Sequence, residues 1–168
     1  MKISDLFLLS TIVLVTCLLS FGYYLEYFKN LYPCLLCVIQ RFCYLIIGCV
    51  AIVGLTFRKL YVISRYTFIT IIAVAFLGAA VASRQVWLQR FADSQNLECG
   101  ASLKFLIDTL PLSDVIYKLY LGSSDCATVH WALFGWSIAD LSLFFFLAIA
   151  TSAIWVFLND GHQTYRNS

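Results

Sequence analysis

The chain has 168 residues, of which 62% are hydrophobic and 12% charged, against roughly 45–50% and about 25% in soluble globular domains. That balance excludes a water-soluble domain, and a scattered net charge of +2 excludes the clustered basic face that a nucleic acid or other polyanion needs. About 20 apolar residues in a helix cross a hydrocarbon core of roughly 30 Å, so four crossings fit and leave about half the chain for loops.

The first apolar run, 6–25, contains no charge. The second, 38–57, is broken only by Gln40 and Arg41 near its start; the third, 66–86, carries Arg84 near its end; the fourth, 141–158, again has no charge inside. None alternates as a strand would, so the expected fold is an all-α membrane protein, a single domain over 1–168 with four spanning helices in a bundle. A cleaved signal is the competing reading of the first run, since Lys2 precedes it and Leu14-Val15-Thr16-Cys17 faintly resembles a lipoprotein cleavage box. The run exceeds the usual 7–15 residue signal core, lacks a small-x-small site, and is needed for an even number of spans. Cys17 then reads as a small buried apolar residue.

Arg58, Lys59 and Arg65, with no acid among them, make the 58–65 connection cytoplasmic. Lys2 and Arg166 place both termini on that side, which leaves loops 26–37 and 87–139 outside. Tyr23, Tyr24, Tyr27, Tyr32, Trp87, Trp131 and Trp136 gather at the outer boundary, as rings in a headgroup belt do.

Of seven cysteines, Cys34, Cys37, Cys99 and Cys126 fall in those outer loops, while Cys17, Cys43 and Cys49 lie within apolar runs. Two disulfide pairs facing an oxidising compartment such as the bacterial periplasm would give this partition. Pro33-Cys34-Leu35-Leu36-Cys37 is a Cys-x-x-Cys at the mouth of the second span, with Pro33 suited to a helix start. The spacing serves a redox dithiol, and equally half a zinc site. Arg41 lies four residues beyond Cys37 on the same helical face. A guanidinium at the edge of a span usually has a local partner; here it would favour a Cys37 thiolate, the reactive form, and polarise a ligand's carbonyl oxygen. The alternative is that Arg41 snorkels to the headgroups. Cys99 and Cys126 stand among small and polar residues, Glu98-Cys99-Gly100 and Gly122-Ser123-Ser124-Asp125-Cys126, in a loop of about fifty residues, a length that is usually functional. Within it, 113–122 reads as a short helix on the membrane surface, started by Ser113 or Asp114 and stopped by Gly122. A purely structural loop disulfide is the other reading of this pair.

Taken together, these residues resemble the DsbB family, inner-membrane quinone reductases that reoxidise the periplasmic thiol oxidase DsbA. The likeness covers nearly the whole chain: four spans, Pro33-Cys34-x-x-Cys37 then Arg41, Arg84-Gln85-Val86-Trp87-Leu88 leaving the third span, Cys99-Gly100, Pro111-Leu112, Gly122-Ser123-x-x-Cys126, and Trp131 before the fourth. The resemblance implies that Cys99 and Cys126 form the disulfide presented to reduced DsbA, with Cys99 making the mixed disulfide. Cys34 and Cys37 then reoxidise that pair, and Cys37 passes electrons to ubiquinone or menaquinone with Arg41 orienting the quinone. It implies no metal. Two positions depart from the family pattern: Gln40 replaces an acidic residue found in several relatives, and Gln89 and Arg90 stand where a histidine often follows the third span. His130 and His162 do not fill that place.

Other readings are a vitamin K epoxide reductase relative, which usually has its Cys-x-x-Cys late in the chain, and a DsbB paralogue with a dedicated partner. A cysteine-ligated metal protein generally has two close pairs, whereas one occurs here. A passive structural protein leaves Arg41 beside Cys37 unexplained. Ala75, Ala79 and Ser83 form a small-residue stripe whose expected role is helix packing.

Overall fold

The computed structural model describes residues 3–29, 34–57, 60–91, 132–133 and 136–166. Helices α1 (Ile3–Lys29), α2 (Leu35–Thr56), α3 (Tyr61–Phe91) and α4 (Ile138–Arg166) make up nearly all of it. Ahead of α4, strands β1 (Ala132–Leu133) and β2 (Trp136–Ser137) pair antiparallel, Ala132 opposite Ser137 and Leu133 opposite Trp136. Each helix contains a stretch long and apolar enough to cross a membrane. Lipid cannot hydrogen-bond a backbone, so apolar runs of this length close their N–H and C=O groups within a helix. The protein is a multi-pass membrane protein with a four-span bundle.

The helices overrun the apolar runs that announce them, because a helix can continue into the headgroup region where charged side chains are solvated. Thus α1 reaches Lys29 and keeps Glu26 helical, α3 continues to Phe91, and α4 begins at Ile138. Around the bundle, α3 packs most extensively on α4 and then on α2, while α1 lies against α2 and, over a smaller area, α4. Val15, Ile47, Ala51, Ile71, Phe146 and Ala153 form part of the interior. Leu6, Val13, Phe42, Leu77, Trp155 and Leu158 point outward, an apolar exterior suited to acyl chains.

Cys17 departs from the expectation of burial: it faces outward, as does Cys49, and only Cys43 of the three span cysteines is buried. The helix is apolar all round, so composition does not reveal its rotation. The inner face of α3 is likewise displaced from the predicted stripe. Ser83 is exposed, and the buried positions run Ile71, Ala75, Gly78, Ala79, Ala82, Gln85 and Leu88. Small residues there let α4 approach closely. A Cβ on Gly78 would lie 2.5 Å from Cζ of Phe146, whose ring is in turn stacked on Tyr44 at 4.1 Å between centroids. Tyr44 donates its hydroxyl to the Ser142 carbonyl at 3.2 Å, so α2, α3 and α4 meet at one layer. Gly78→Ala should therefore overpack this layer, costing about 1–3 kcal/mol and lowering the melting temperature in detergent; an unchanged melt would show that the layer can yield.

Helix α4 starts in a reciprocal cap. The Asp140 N–H donates to Ser137 Oγ at 3.2 Å, and the Ser137 N–H donates to Asp140 Oδ2 at 3.0 Å, a capping box with aspartate at the third helical position. The other carboxylate oxygen accepts from Arg90 Nη2 at 2.8 Å. The last turn of α3 is thereby fastened to the first turn of α4.

Candidate redox site

Cys34 is the N-cap of α2, in extended conformation with φ −67° and ψ 166°. Its carbonyl accepts the first helical bond, from the Val38 N–H at 3.1 Å. Cys37, three residues on, lies over the same turn, and the two sulfurs are 3.0 Å apart. Both residues are half-buried. Leu36 and Leu88 form a small apolar cluster beside them, with Cys34 and Val81 packed against it.

Two buried amides complete this end of the bundle. Gln85, on the inner face of α3, places Nε2 3.1 Å from Cys37 Sγ and 3.5 Å from Cys34 Sγ. Its Oε1 accepts from Gln40 Nε2 at 2.7 Å. Gln40 and Gln85 are 4% and 3% exposed, and buried amides at that depth are found hydrogen-bonded.

Arg41 sits one turn deeper than Cys37 and reaches across to α1. Its Nη1 donates to Glu26 Oε2 at 2.5 Å and its Nη2 to the Gly22 carbonyl at 3.1 Å. The guanidinium also lies over the Tyr23 ring, 5.2 Å from its centroid. A Cβ on Gly22 would come within 3.3 Å of Arg41 Nε, so the bare helix backbone at Gly22 forms the slot that holds the arginine. The local partner expected for Arg41 is therefore Glu26, one helical turn beyond Gly22 on α1.

Of the predicted site residues, Cys34, Cys37 and Arg41 are brought to one end of the bundle by α2. Cys99 and Cys126, the 113–122 helix, Pro111 and His130 lie outside the described residues. Arg90, which stands where a histidine often follows the third span in the family, is paired with Asp140.

The profile of the family described as Disulfide bond formation protein DsbB matches residues 4–156. The chain belongs to the DsbB family. Disulfide bond formation protein B of Acinetobacter baylyi is 35% identical over 158 residues, covering 93% of this chain and 90% of that protein. Its counterpart from Acinetobacter baumannii is 36% identical over 155 residues, 91% of this chain and 88% of the relative. That of Verminephrobacter eiseniae is 38% identical over 133 residues, covering 77% and 72% respectively. DsbB membership makes this chain a disulfide-forming oxidoreductase of the membrane.

Three contributors to the DsbB site escape the reading of sequence alone. Glu26 falls there only at the start of the outer loop 26–37, although Gly22 and Glu26 are spaced i, i+4 and so share a face of α1. Gln40 appears as a departure from a pattern, and Gln85 as one letter of the Arg84–Leu88 motif. The buried register Ala75, Ala79, Ala82, Gln85, Leu88 was the available signal: a glutamine on a face of alanines and leucine needs a polar partner there.

Proposed function

We propose that this DsbB-family chain reoxidises a periplasmic DsbA-like thiol oxidase, passing its electrons through Cys99/Cys126 and then Cys34/Cys37 to a membrane quinone, ubiquinone or menaquinone. The bilayer is the bacterial inner membrane, with both termini cytoplasmic and the four cysteines periplasmic. The observation that carries this reading is the Cys34–Cys37 sulfur pair, 3.0 Å apart at the start of α2, with Arg41 one turn deeper at the same end. The basic cluster Arg58, Lys59 and Arg65 supports the orientation.

The side chains present fit a quinone. A guanidinium carries five N–H groups; bonds to Glu26 and Gly22 use one on each Nη. The Arg41 side chain retains 21% exposure, so further N–H groups are available to a carbonyl oxygen, with the Tyr23 ring beside the guanidinium. When bound, a quinone supplies a sink for two electrons and two protons. Cys37 presents its sulfur as the thiolate, and Cys34, on the same turn, closes the disulfide as two electrons leave the pair. Arg41 binds and orients the acceptor oxygen, held by Glu26 so that its fork does not swing into the headgroups. Cys99 and Cys126 exchange with the soluble partner and are restored by Cys34 and Cys37. Across the cycle, partner dithiol and quinone give partner disulfide and quinol, so electrons and protons balance. DsbA is a strong oxidant, and each 30 mV of two-electron potential contributes about 1.4 kcal/mol, so the acceptor must lie at higher potential.

The test mixes purified protein, quinone and reduced DsbA-like substrate while quinone absorbance and substrate thiols are followed. One quinone should be reduced per disulfide formed. Absence of quinone reduction overturns the reading, and stoichiometric metal on the four outer cysteines would replace it with a metal-binding role.

A further inference from the structure

We infer that Gln85 is a catalytic hydrogen-bond donor that holds the Cys37 sulfur in its anionic form, and that Gln40 is the positioning residue that aims it. The inference rests on the redox reading above and adds to it a source of thiolate stabilisation other than Arg41.

A glutamine amide has one acceptor oxygen and a two-donor nitrogen, and either end can in principle face the sulfurs. The two orientations have opposite chemical consequences. Nε2 toward Cys37 offers N–H groups, which a thiolate accepts more strongly than a thiol because the bond is charge-assisted. Oε1 toward Cys37 would accept from an S–H and so favour the protonated sulfur. The structure has the first arrangement: Gln40 Nε2 donates to Gln85 Oε1 at 2.7 Å, and Gln85 Nε2 is directed at Cys37, 3.1 Å away, and more distantly at Cys34, 3.5 Å away. Because both glutamines are buried, water competes little for these groups and each bond is electrostatically stronger than it would be at a surface. Gln85 also belongs to the packed face of α3 while the cysteines ride on α2, so the bond fixes the sulfur relative to a second helix as well as polarising it. The 0.4 Å difference between the two sulfur distances makes Cys37 the favoured acceptor.

The experiment measures iodoacetamide alkylation of the reduced protein across a pH series, with Cys34 and Cys37 quantified separately by mass spectrometry. Gln85→Met keeps the side chain's length and removes its donors. It should slow Cys37 alkylation at neutral pH about tenfold, the scale of one charge-assisted hydrogen bond, and should shift the Cys37 pH profile upward more than that of Cys34. Gln40→Glu never touches a sulfur, yet its carboxylate accepts from Gln85 Nε2 and turns Oε1 toward Cys37, so it should slow alkylation at least as much. A purely packing role for Gln85 would leave the pH profile in place. Alkylation of Cys37 within twofold of the unaltered protein in Gln85→Met overturns the inference; if that variant does not fold, the same criterion applied to Gln40→Glu decides. Alkylation requires neither quinone nor partner, so failure of the redox reading is seen separately, as absent quinone reduction by the unaltered protein.

Discussion

Cys37→Ser should abolish quinone-coupled oxidation of the partner, lowering turnover by about a thousandfold or more, to background. A serine hydroxyl does not ionise near neutral pH and cannot join Cys34 in a disulfide, so both nucleophile and electron carrier are lost. The substitution is nearly isosteric in a half-buried site, and Gln85 can still donate to the oxygen, so the fold should persist and the loss should be chemical. Cys99→Ser supplies the contrast: it should also stop partner oxidation, yet leave the Cys34–Cys37 pair oxidisable by quinone. Following quinone absorbance and partner thiols together separates the two outcomes. Turnover surviving in Cys37→Ser would remove Cys37 from the electron path.

Arg41→Ala should raise the KM for quinone by about tenfold or more, equivalent to about 1.4 kcal/mol, while exchange between the two cysteine pairs changes by less than about twofold. The asymmetry follows from position: Arg41 lies one turn deeper than the sulfurs, where the proposed function places the lipid-soluble acceptor. Arg41→Lys should recover only part of the loss, since an ammonium retains charge without the planar fork that spans Glu26 and Gly22. Glu26→Ala should have a smaller effect, because it removes the tether and leaves the donor. The double variant should match Arg41→Ala alone, since Glu26 acts through Arg41 and the two effects cannot add. Steady-state quinone titrations of the four variants provide the check; equal losses in quinone use and thiol exchange would make Arg41 a structural residue.

The elements that announce themselves in this sequence are those specified along the chain. Four apolar runs give four helices, and Cys34, Cys37 and Arg41, spaced i, i+3 and i, i+4 along one helix, must be neighbours once that helix forms. What remains hidden depends on the rotation of one helix against another. Glu26 and Gly22 reach Arg41 from α1, and Gln85 reaches the sulfurs from α3; no spacing within α2 encodes either contact. The amphipathic signal that fixes rotation in a soluble protein is weak here, because lipid accepts the same side chains as the core. This is why Cys17 turns outward against expectation and why the packed stripe on α3 runs through Ala82 rather than Ser83. Polar residues inside the spans carry the missing information, since each must find a partner.

The capped junction between α3 and α4 also has a bearing on how fast electrons would move in the proposed relay. Arg90 and Asp140 bring the two ends of an intervening segment together, and Gln85, which touches the sulfurs, precedes Arg90 by five residues, about 7.5 Å along a helix axis. Cys99 follows Phe91 by eight residues and Cys126 precedes Ser137 by eleven, contour lengths of at most about 29 Å and about 40 Å. The chain alone therefore limits how far either loop thiol can stand from the facing ends of α3 and α4. In the proposed relay, exchange between the pairs would then be a first-order encounter at an effective concentration on the order of millimolar, indifferent to how sparsely the protein is scattered through its membrane, whereas delivery of the soluble partner would stay subject to dilution.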